Sequence, residues 1–324
     1  MVTKIGANMK PTVSVIIPSK NCLSSLPRAI DSIWQQNIAN IEVIIVDDGS
    51  TDGSWEWICQ LCRKHNNLIA LKLNNEGTST ARNHAVRVSS GTYIAFLDAD
   101  KFWYEHKLQQ QIKFMEENPQ VGISFTNCEL MNDKCEVTHD SFTNSDYFKQ
   151  QAKRHNQDAF IVPKGAAAIF SQNIIGTSTV LVRRDLYLAL DGFDHNIKLA
   201  SDWDLWLKIA LHTAVGCIKK PLAACLRKKT IMSHQVKQLK ATEQVIKRYE
   251  NKIKTIDPYA VRSAHAHLSE SYAEYYRQVA RPAQALACDI KALCEQPASR
   301  RFKNILTDLK LSMHMSEYDN GMNM

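Results

Sequence analysis

Two aspartates one residue apart, Asp98 and Asp100, close an apolar stretch, Thr92-Tyr-Ile-Ala-Phe-Leu97, that reads as a buried strand. Carboxylates at the C-terminal edge of such a strand can hold a divalent cation. The cation in turn can neutralise the phosphates of a bound nucleotide. A second run, Glu42-Val-Ile-Ile-Val46, is followed by Asp47-Asp48-Gly49-Ser50-Thr51-Asp52 and puts further carboxylates at a strand tip. There a carboxylate can accept the N–H of a pyrimidine base, and glycine lets backbone approach a ligand. The same residue types also form turns and cap helices, which is the role that suits Asp52. Downstream of Asn75-Glu76-Gly77, Arg82 stands on the first turns of a helix, where it either meets phosphate or faces solvent. A second Asp-x-Asp, Asp202-Trp203-Asp204, opens a helix instead of ending a strand. Asp202 is there either a general base or an N-cap, with Ser201 competing for the cap.

The elements that must position these residues alternate. Strands are predicted at Val13–Ile17, Glu42–Val46, Leu68–Leu73 and Tyr93–Leu97, and helices at Ser24–Gln36, Ser54–Lys64 and Thr78–Val88. Near-continuous apolar strands in β-α-β-α order mean a parallel sheet covered on both faces, whose ligands bind at the carboxyl ends. The loops beginning at Pro18, Asp47, Asn74 and Asp98 therefore converge on one edge. Residues 132–172 show no clear period. Thr177–Arg183 reads as a strand, Asp202–Leu211 as a helix and Ala214–Ile218 as a short strand. From about His234 only helical patterns remain, running to about Met313 and interrupted near Pro258, Pro282 and Pro297. Ala264, Tyr272, Ala273, Tyr276, Ala283, Ala285 and Ala292 suggest one antiparallel helix pair of the tetratricopeptide type. The expected division is 1–232 and 233–324.

With 324 residues, 44% of them hydrophobic, the chain can bury a full core. Its net charge of +7 suits phosphorylated ligands or an anionic membrane surface. Basic residues are neither densely clustered nor interleaved with aromatics, which argues against nucleic acid as a partner. No apolar run approaches the roughly 18 to 20 residues of a membrane span, and Met1 to Thr12 lacks the apolar core of a signal peptide. The expected location is cytoplasmic, with peripheral membrane attachment compatible. Nine irregularly spaced cysteines fit a reducing compartment, and Cys59-Gln-Leu-Cys62 has no second pair to complete a zinc site.

Taken together, the chain resembles the family 2 inverting glycosyltransferases, whose fold is called GT-A, over about residues 12–230. The resemblance rests on Val13-Ser-Val-Ile-Ile-Pro-Ser-Lys-Asn21, Glu42-Val-Ile-Ile-Val-Asp-Asp-Gly-Ser-Thr-Asp-Gly-Ser54, Asn75-Glu-Gly-x4-Ala-Arg-Asn83, Gly91-Thr-Tyr-Ile-Ala-Phe-Leu-Asp-Ala-Asp100, Gly192-Phe-Asp194 and Ser201-Asp-Trp-Asp-Leu-Trp-Leu207. It implies a Rossmann-like mixed sheet with a helical C-terminal extension. It implies that Pro18, Ser19 and Asn21 line a uridine pocket and that Asp48 contacts the uracil with Asp47 beside it. Arg82 and Asn83 would lie near the nucleotide, and Asp98, followed by Ala99, would contact ribose or donor sugar. Asp100 would ligate Mg²⁺ or Mn²⁺, and Asp202 would be the base that deprotonates the acceptor hydroxyl. Donor and acceptor by the same resemblance are a UDP-sugar and a growing glycan or lipid-linked oligosaccharide of bacterial polysaccharide or lipopolysaccharide synthesis. The C-terminal helices could join copies into an oligomer.

Three residues depart from the family pattern. Lys101 stands where a third Asp often follows, Ser201 replaces a Glu before the base, and Lys229 stands where Arg-x-His would put a histidine. Lys219, Lys220, Arg227, Lys228 and Lys229 either grip a diphosphate or form a solvated basic face. These departures keep open a catalytically silent nucleotide- or glycan-binding protein. A sugar nucleotidyltransferase would carry a Gly-rich, Arg-containing loop where Pro18-Ser-Lys-Asn21 stands. A dehydrogenase would need a G-x-G-x-x-G after a strand.

Overall fold

The computed structural model of the chain describes residues 10–132, 134–226 and 232–309. Val13–Ser19, rich in β-branched residues, forms β1, the buried strand on which the sheet is built. It pairs in parallel with β2 (Ile41–Asp48) on one side and β4 (Tyr93–Phe96) on the other, and β2 pairs in parallel with β3 (Leu68–Leu73). Helices α1 (Leu26–Trp34), α2 (Ser54–Lys64) and α3 (Thr78–Val88) make the crossovers. Gly91, ahead of β4, is a glycine for a packing reason: a Cβ there would stand 2.6 Å from the backbone N of Ser14.

The sheet continues through β5 (Phe102–Trp103), β6 (Val121–Met131), β7 (Val137–Asp140), β8 (Ala159–Ile161), β9 (Val180–Arg183) and β10 (Ala214–Leu226). The strand order is β3-β2-β1-β4-β9-β6-β10-β5, with β7 beside β6 and β8 beside β10. β9 runs antiparallel to both β4 and β6, so the sheet is mixed. Between β1 and β4 the order reverses direction. Their carboxyl ends therefore flank a switch point, where sheets of this kind open a crevice for ligands. The architecture is that of the GT-A fold.

Helices α4 (Lys107–Glu117), α5 (Asp146–Arg154), α6 (Gly165–Ser171), α7 (Arg184–Ala189) and α8 (Ser201–Ala210) lie between these strands in the chain. Two of the expected segments differ in the structure, and the stretch from Phe102 to Ser171, for which no element was expected, carries β5 to β8 and α4 to α6. Thr177–Thr179 is a 3₁₀ turn, with strand only from Val180, because the Thr179 hydroxyl donates back to the Gly176 carbonyl at 2.7 Å. β10 runs eight residues past the expected Ile218, since the register against β6 shifts on both sides of Pro221, which has no N–H for the ladder.

The chain divides into two compact units: residues up to Gly165 with Ile174–Lys228, and Ala166–Asn173 with the chain from Lys229 on. The second is helical: α9 (Met232–Ile256), α10 (Pro258–Gln278), α11 (Pro282–Glu295) and a helix over 299–309. The expected helical stretch at 310–313 lies outside the described residues. Pro258 and Pro282 open their helices, where a missing N–H costs nothing, and the Asp257 carboxylate caps α10 by accepting from the Tyr259 N–H at 3.1 Å. Buried Ala264, Ala273, Ala285 and Ala292 let α10 and α11 approach closely.

Inside this unit Arg277 answers two fully buried carboxylates. Its Nε donates to Asp308 Oδ1 at 2.8 Å, and its Nη2 donates to Asp289. Burial pushes Asp289 up to about 6 against the pull of Arg277. Removing the guanidinium leaves two buried acids uncompensated. Arg277→Met is expected to cost about 3–5 kcal/mol in the unfolding of the helical unit. Chemical denaturation of the full chain followed by circular dichroism measures it.

Candidate active site

On one side of the switch point the tip of β1 meets the tip of β2. Ser19 and Asp47 are register partners and both are buried. Asp47 Oδ1 accepts from the Ser50 N–H at 3.1 Å. Asp47 Oδ2 and Ser19 Oγ, both buried, have no hydrogen-bond partner among the described residues. A neighbouring donor and acceptor left unpaired in a sheet edge are costly unless something completes them. Half-buried Pro18 precedes them, opposite Val46.

The loops around this pair brace one another. Asn21, in the left-handed region at φ 51°, donates its N–H to Ser50 Oγ at 2.9 Å, and its Oδ1 accepts from the Thr51 N–H at 2.8 Å. Asp48 spends both oxygens on the next loop, accepting from the Glu76 N–H at 2.7 Å and the Gly77 N–H at 2.9 Å. Lys20 Nζ donates to Asn75 Oδ1 at 2.5 Å. Gly49 has φ 82°, and a Cβ on it would stand 3.0 Å from the Asn75 side chain. Asp52 accepts from the N–H groups of Leu23 and Ser54 at the start of α2.

Across the switch point Asp98 follows β4. Arg82 Nη2, from α3, donates to its Oδ1 at 2.6 Å, and Lys101 Nζ donates to its Oδ2. Burial works against the charged carboxylate, but Lys101 and Arg82 outweigh it and hold Asp98 well below the usual carboxylate range. Lys101 itself loses solvation, and Asp98 more than restores the ammonium. The Asp98 N–H donates to Ser178 Oγ at 3.0 Å, and the Ser178 carbonyl accepts from Trp103 Nε1 at 2.6 Å. The preceding residue, Thr177, donates its hydroxyl to Asp202 Oδ2 at 3.3 Å. One 3₁₀ turn thus ties the aspartate after β4 to the aspartate that opens α8.

Asp202 sits in the first turn of α8, and the cap position belongs to Ala200 at φ 56°, with no side-chain cap bond. The left-handed conformation costs an alanine about 1–2 kcal/mol. Asp202 Oδ1 accepts from the Trp203 N–H at 2.8 Å, so the carboxylate serves the helix with one oxygen and meets Thr177 with the other. Ser201 Oγ accepts from Ser79 Oγ at 3.0 Å, linking α8 to α3.

Three residues singled out from sequence are engaged elsewhere in the fold. Asn83 is buried and saturated. Its Nδ2 donates to the Phe193 carbonyl at 2.8 Å, while its Oδ1 accepts from Tyr187 Oη and the Phe193 N–H. It ties α3 to the Gly192-Phe193 turn. The Ala99 methyl belongs to the hydrophobic core. Lys219 donates to the His155 carbonyl at 2.9 Å beside the C-terminus of α5, where a cation suits the helix dipole. Arg227, Lys228 and Lys229 lie outside the described residues. Thr177 and Ser178 carried no sequence cue, because a run of hydroxyl residues before an apolar strand reads as strand.

The residues fit one kind of metal site. Asp98 is committed to two cations, and half-buried Asp100 is the hard carboxylate next to it. Among the described residues no group of three His, Cys, Asp or Glu side chains could cage an ion. A single carboxylate suits a magnesium-like ion whose remaining ligands come from phosphates and water.

Comparison with known proteins agrees with this geometry. The model of glycosyl transferase family 2 matches residues 14–175, half of the chain, and the chain belongs to that family. An uncharacterized glycosyltransferase of Rickettsia felis is 34% identical over 65% of this chain and 32% of its own length. The chain spans about a third of the length of that relative. The Escherichia coli UDP-Glc:alpha-D-GlcNAc-diphosphoundecaprenol beta-1,3-glucosyltransferase WfaP is 39% identical over 122 residues, 37% of this chain and 47% of the relative. Among solved structures, S. aureus TarS 1-349 in complex with UDP-GlcNAc superposes with a TM-score of 0.60 at 17% identity, covering 94% of this chain and 92% of that one.

Because Asp98 is held below the unfolded value of about 3.9, its stabilisation is present above about pH 4 and lost as pH falls through the folded value. Asp98→Asn is therefore expected to flatten the acid limb of stability between about pH 4 and 2. The urea midpoint followed across pH reads this directly, and an unchanged limb contradicts the clamp.

Proposed function

We propose that this chain transfers a sugar from a UDP-sugar to a hydroxyl of a glycan or lipid-linked acceptor by a single displacement that inverts the anomeric carbon. The observation that carries this reading is the turn at Thr177-Ser178, which bonds to Asp202 with one residue and to the backbone of Asp98 with the next. A displacement at an anomeric carbon needs a group on the leaving-group side and a base on the nucleophile side, close enough to act on one sugar. Asp202 is assigned to the nucleophile side, and the turn that follows β4, through Asp100, to the leaving-group side.

On the donor side, the unpaired Asp47 oxygen and Ser19 hydroxyl supply an acceptor and a donor for the edge of a uracil, with Pro18 and Asn21 beside them. This assignment moves the base contact from Asp48 to Asp47, since Asp48 spends both oxygens on the Asn75–Gly77 loop. Asp98, with Arg82 and Lys101 on it, accepts from ribose or donor-sugar hydroxyls. Asp100 would hold Mg²⁺ or Mn²⁺ together with the diphosphate, and the ion, when bound, neutralises the departing charge. Lys101 adds a fixed positive charge at the same edge.

On the acceptor side, Asp202 takes the proton of the attacking hydroxyl. Thr177 and the start of α8 hold its carboxylate in place for that step. The chemistry belongs to residues 1–232, and the region 233–324 serves partner or oligomer contacts. Among the described residues no helix is long and apolar enough to cross a membrane. A lipid-linked acceptor would be met at the cytoplasmic membrane face, a location supported by the acceptor named for WfaP.

Asp202→Asn is expected to lower UDP release from a UDP-sugar by about 10²–10⁴-fold while UDP affinity stays unchanged in calorimetry. Retained turnover contradicts the base assignment. Asp47→Asn is expected to weaken UDP binding by about tenfold or more. Asp100→Asn is expected to abolish any gain in UDP affinity on adding Mn²⁺, and a gain equal to wild type contradicts the metal assignment.

A further inference from the structure

Cys128 on β6 and Cys225 on β10 bring their sulfurs to 2.7 Å. That is inside the contact distance of non-bonded sulfur atoms and about 0.7 Å from a disulfide bond length. The placement follows from register. β6 and β10 pair in parallel with Cys128 opposite Ala223 and Cys225 opposite Leu130. Cys225 lies two residues beyond the partner of Cys128, so both side chains leave the same face of the sheet. Cys128 is buried and Cys225 is partly exposed, so a small oxidant reaches Cys225 first. The pair also borders the candidate donor site: β5 begins one residue after Lys101, which grips Asp98, and its Phe102 is the register partner of Ala224, the residue before Cys225.

We propose that Cys128 and Cys225 are a modification site, closing into a reversible intrachain disulfide with peroxide-class oxidants, and that closure weakens nucleotide binding at the Asp98 edge. The second half rests on the donor-site assignment; the first does not. The Cys225 thiolate attacks one peroxide oxygen, the O–O bond breaks, and hydroxide leaves and takes a proton to become water. Cys128 then gives up its proton as it attacks the sulfenic sulfur of Cys225, the S–S bond forms, the S–O bond breaks, and the departing hydroxide takes that proton and leaves as a second water. Two thiols and one peroxide give one disulfide and two waters. Each sulfur is oxidised by one electron, and the peroxide oxygens are reduced. Closure draws the end of β10 toward β6, next to the pairing of β10 with β5 that follows Lys101.

The test uses the full chain treated with hydrogen peroxide, quenched in acid, alkylated and digested without reduction. Mass spectrometry is expected to find a peptide linking Cys128 to Cys225 that dithiothreitol removes. Cys128→Ser is expected to stop at a Cys225 sulfenic acid that dimedone labels. Recovery of both cysteines as alkylated free thiols overturns the site. Titration with UDP is expected to show about fivefold or greater weakening in the oxidised protein, reversed by dithiothreitol and absent from a peroxide-treated Cys128→Ser/Cys225→Ser variant. A formed disulfide with unchanged UDP affinity overturns the coupling. Failure of the reduced protein to bind UDP overturns the donor-site assignment, while the linked peptide still decides the disulfide.

Discussion

A carboxylate removed from most of its water must be paired or protonated, and Asp98 is paired twice. Its side chain is only 20% exposed, and it faces Arg82 from α3 and Lys101 from the turn after β4. Meeting that demand brings three stretches of chain to one point. α3 must present Arg82 at the carboxyl edge of β4, and the turn after β4 must fold back within three residues. The 3₁₀ turn before β9 must put Ser178 under the Asp98 backbone. The neighbour of Ser178 then meets Asp202, so the turn that takes up the Asp98 N–H also reaches the second aspartate.

The tips of β1 and β2 follow a different rule. There the backbone loops are satisfied by side chains of neighbouring loops: Asn21 on Thr51, Asp48 on Glu76 and Gly77, Asp52 on Leu23 and Ser54. Such bracing lowers the freedom of the edge before any ligand arrives, which favours binding by preorganisation. Against this satisfied background Ser19 and Asp47 stand out, because the fold buries them side by side and leaves one polar atom of each without a partner among the described residues.

Much of the first half of the fold was legible because its strands are buried on both faces and its helices are strongly periodic. α2, β3 and α3 begin and end where the pattern places them. Legibility fell where side-chain hydrogen bonds decide backbone shape. Thr177–Thr179 has strand composition but folds as a 3₁₀ turn, because hydroxyls can bond to nearby carbonyls and compete with the ladder. The polar residues 132–172 carry β7, α5, β8 and α6, elements that tertiary packing selects over a weak local preference. Asn83 reads as a ligand-facing polar residue on α3, yet its amide is consumed by Phe193 and Tyr187, partners more than a hundred residues away.

The sequence by itself determined the order of strands and helices over the first hundred residues, and with it the edge on which chemistry must lie. Hydrophobic period and turn residues are local properties and survive without knowledge of contacts. It also determined the residue types at that edge, a set of carboxylates with one arginine and an unexpected lysine. Only the tertiary structure decided what each does. It gave Asp98 two cations, Asp48 two backbone amides and Asp47 an oxygen to spare, and it linked Asp202 to Asp98 through one turn. These outcomes depend on which donors reach a buried carboxylate first, and the donors come from segments that only folding brings together.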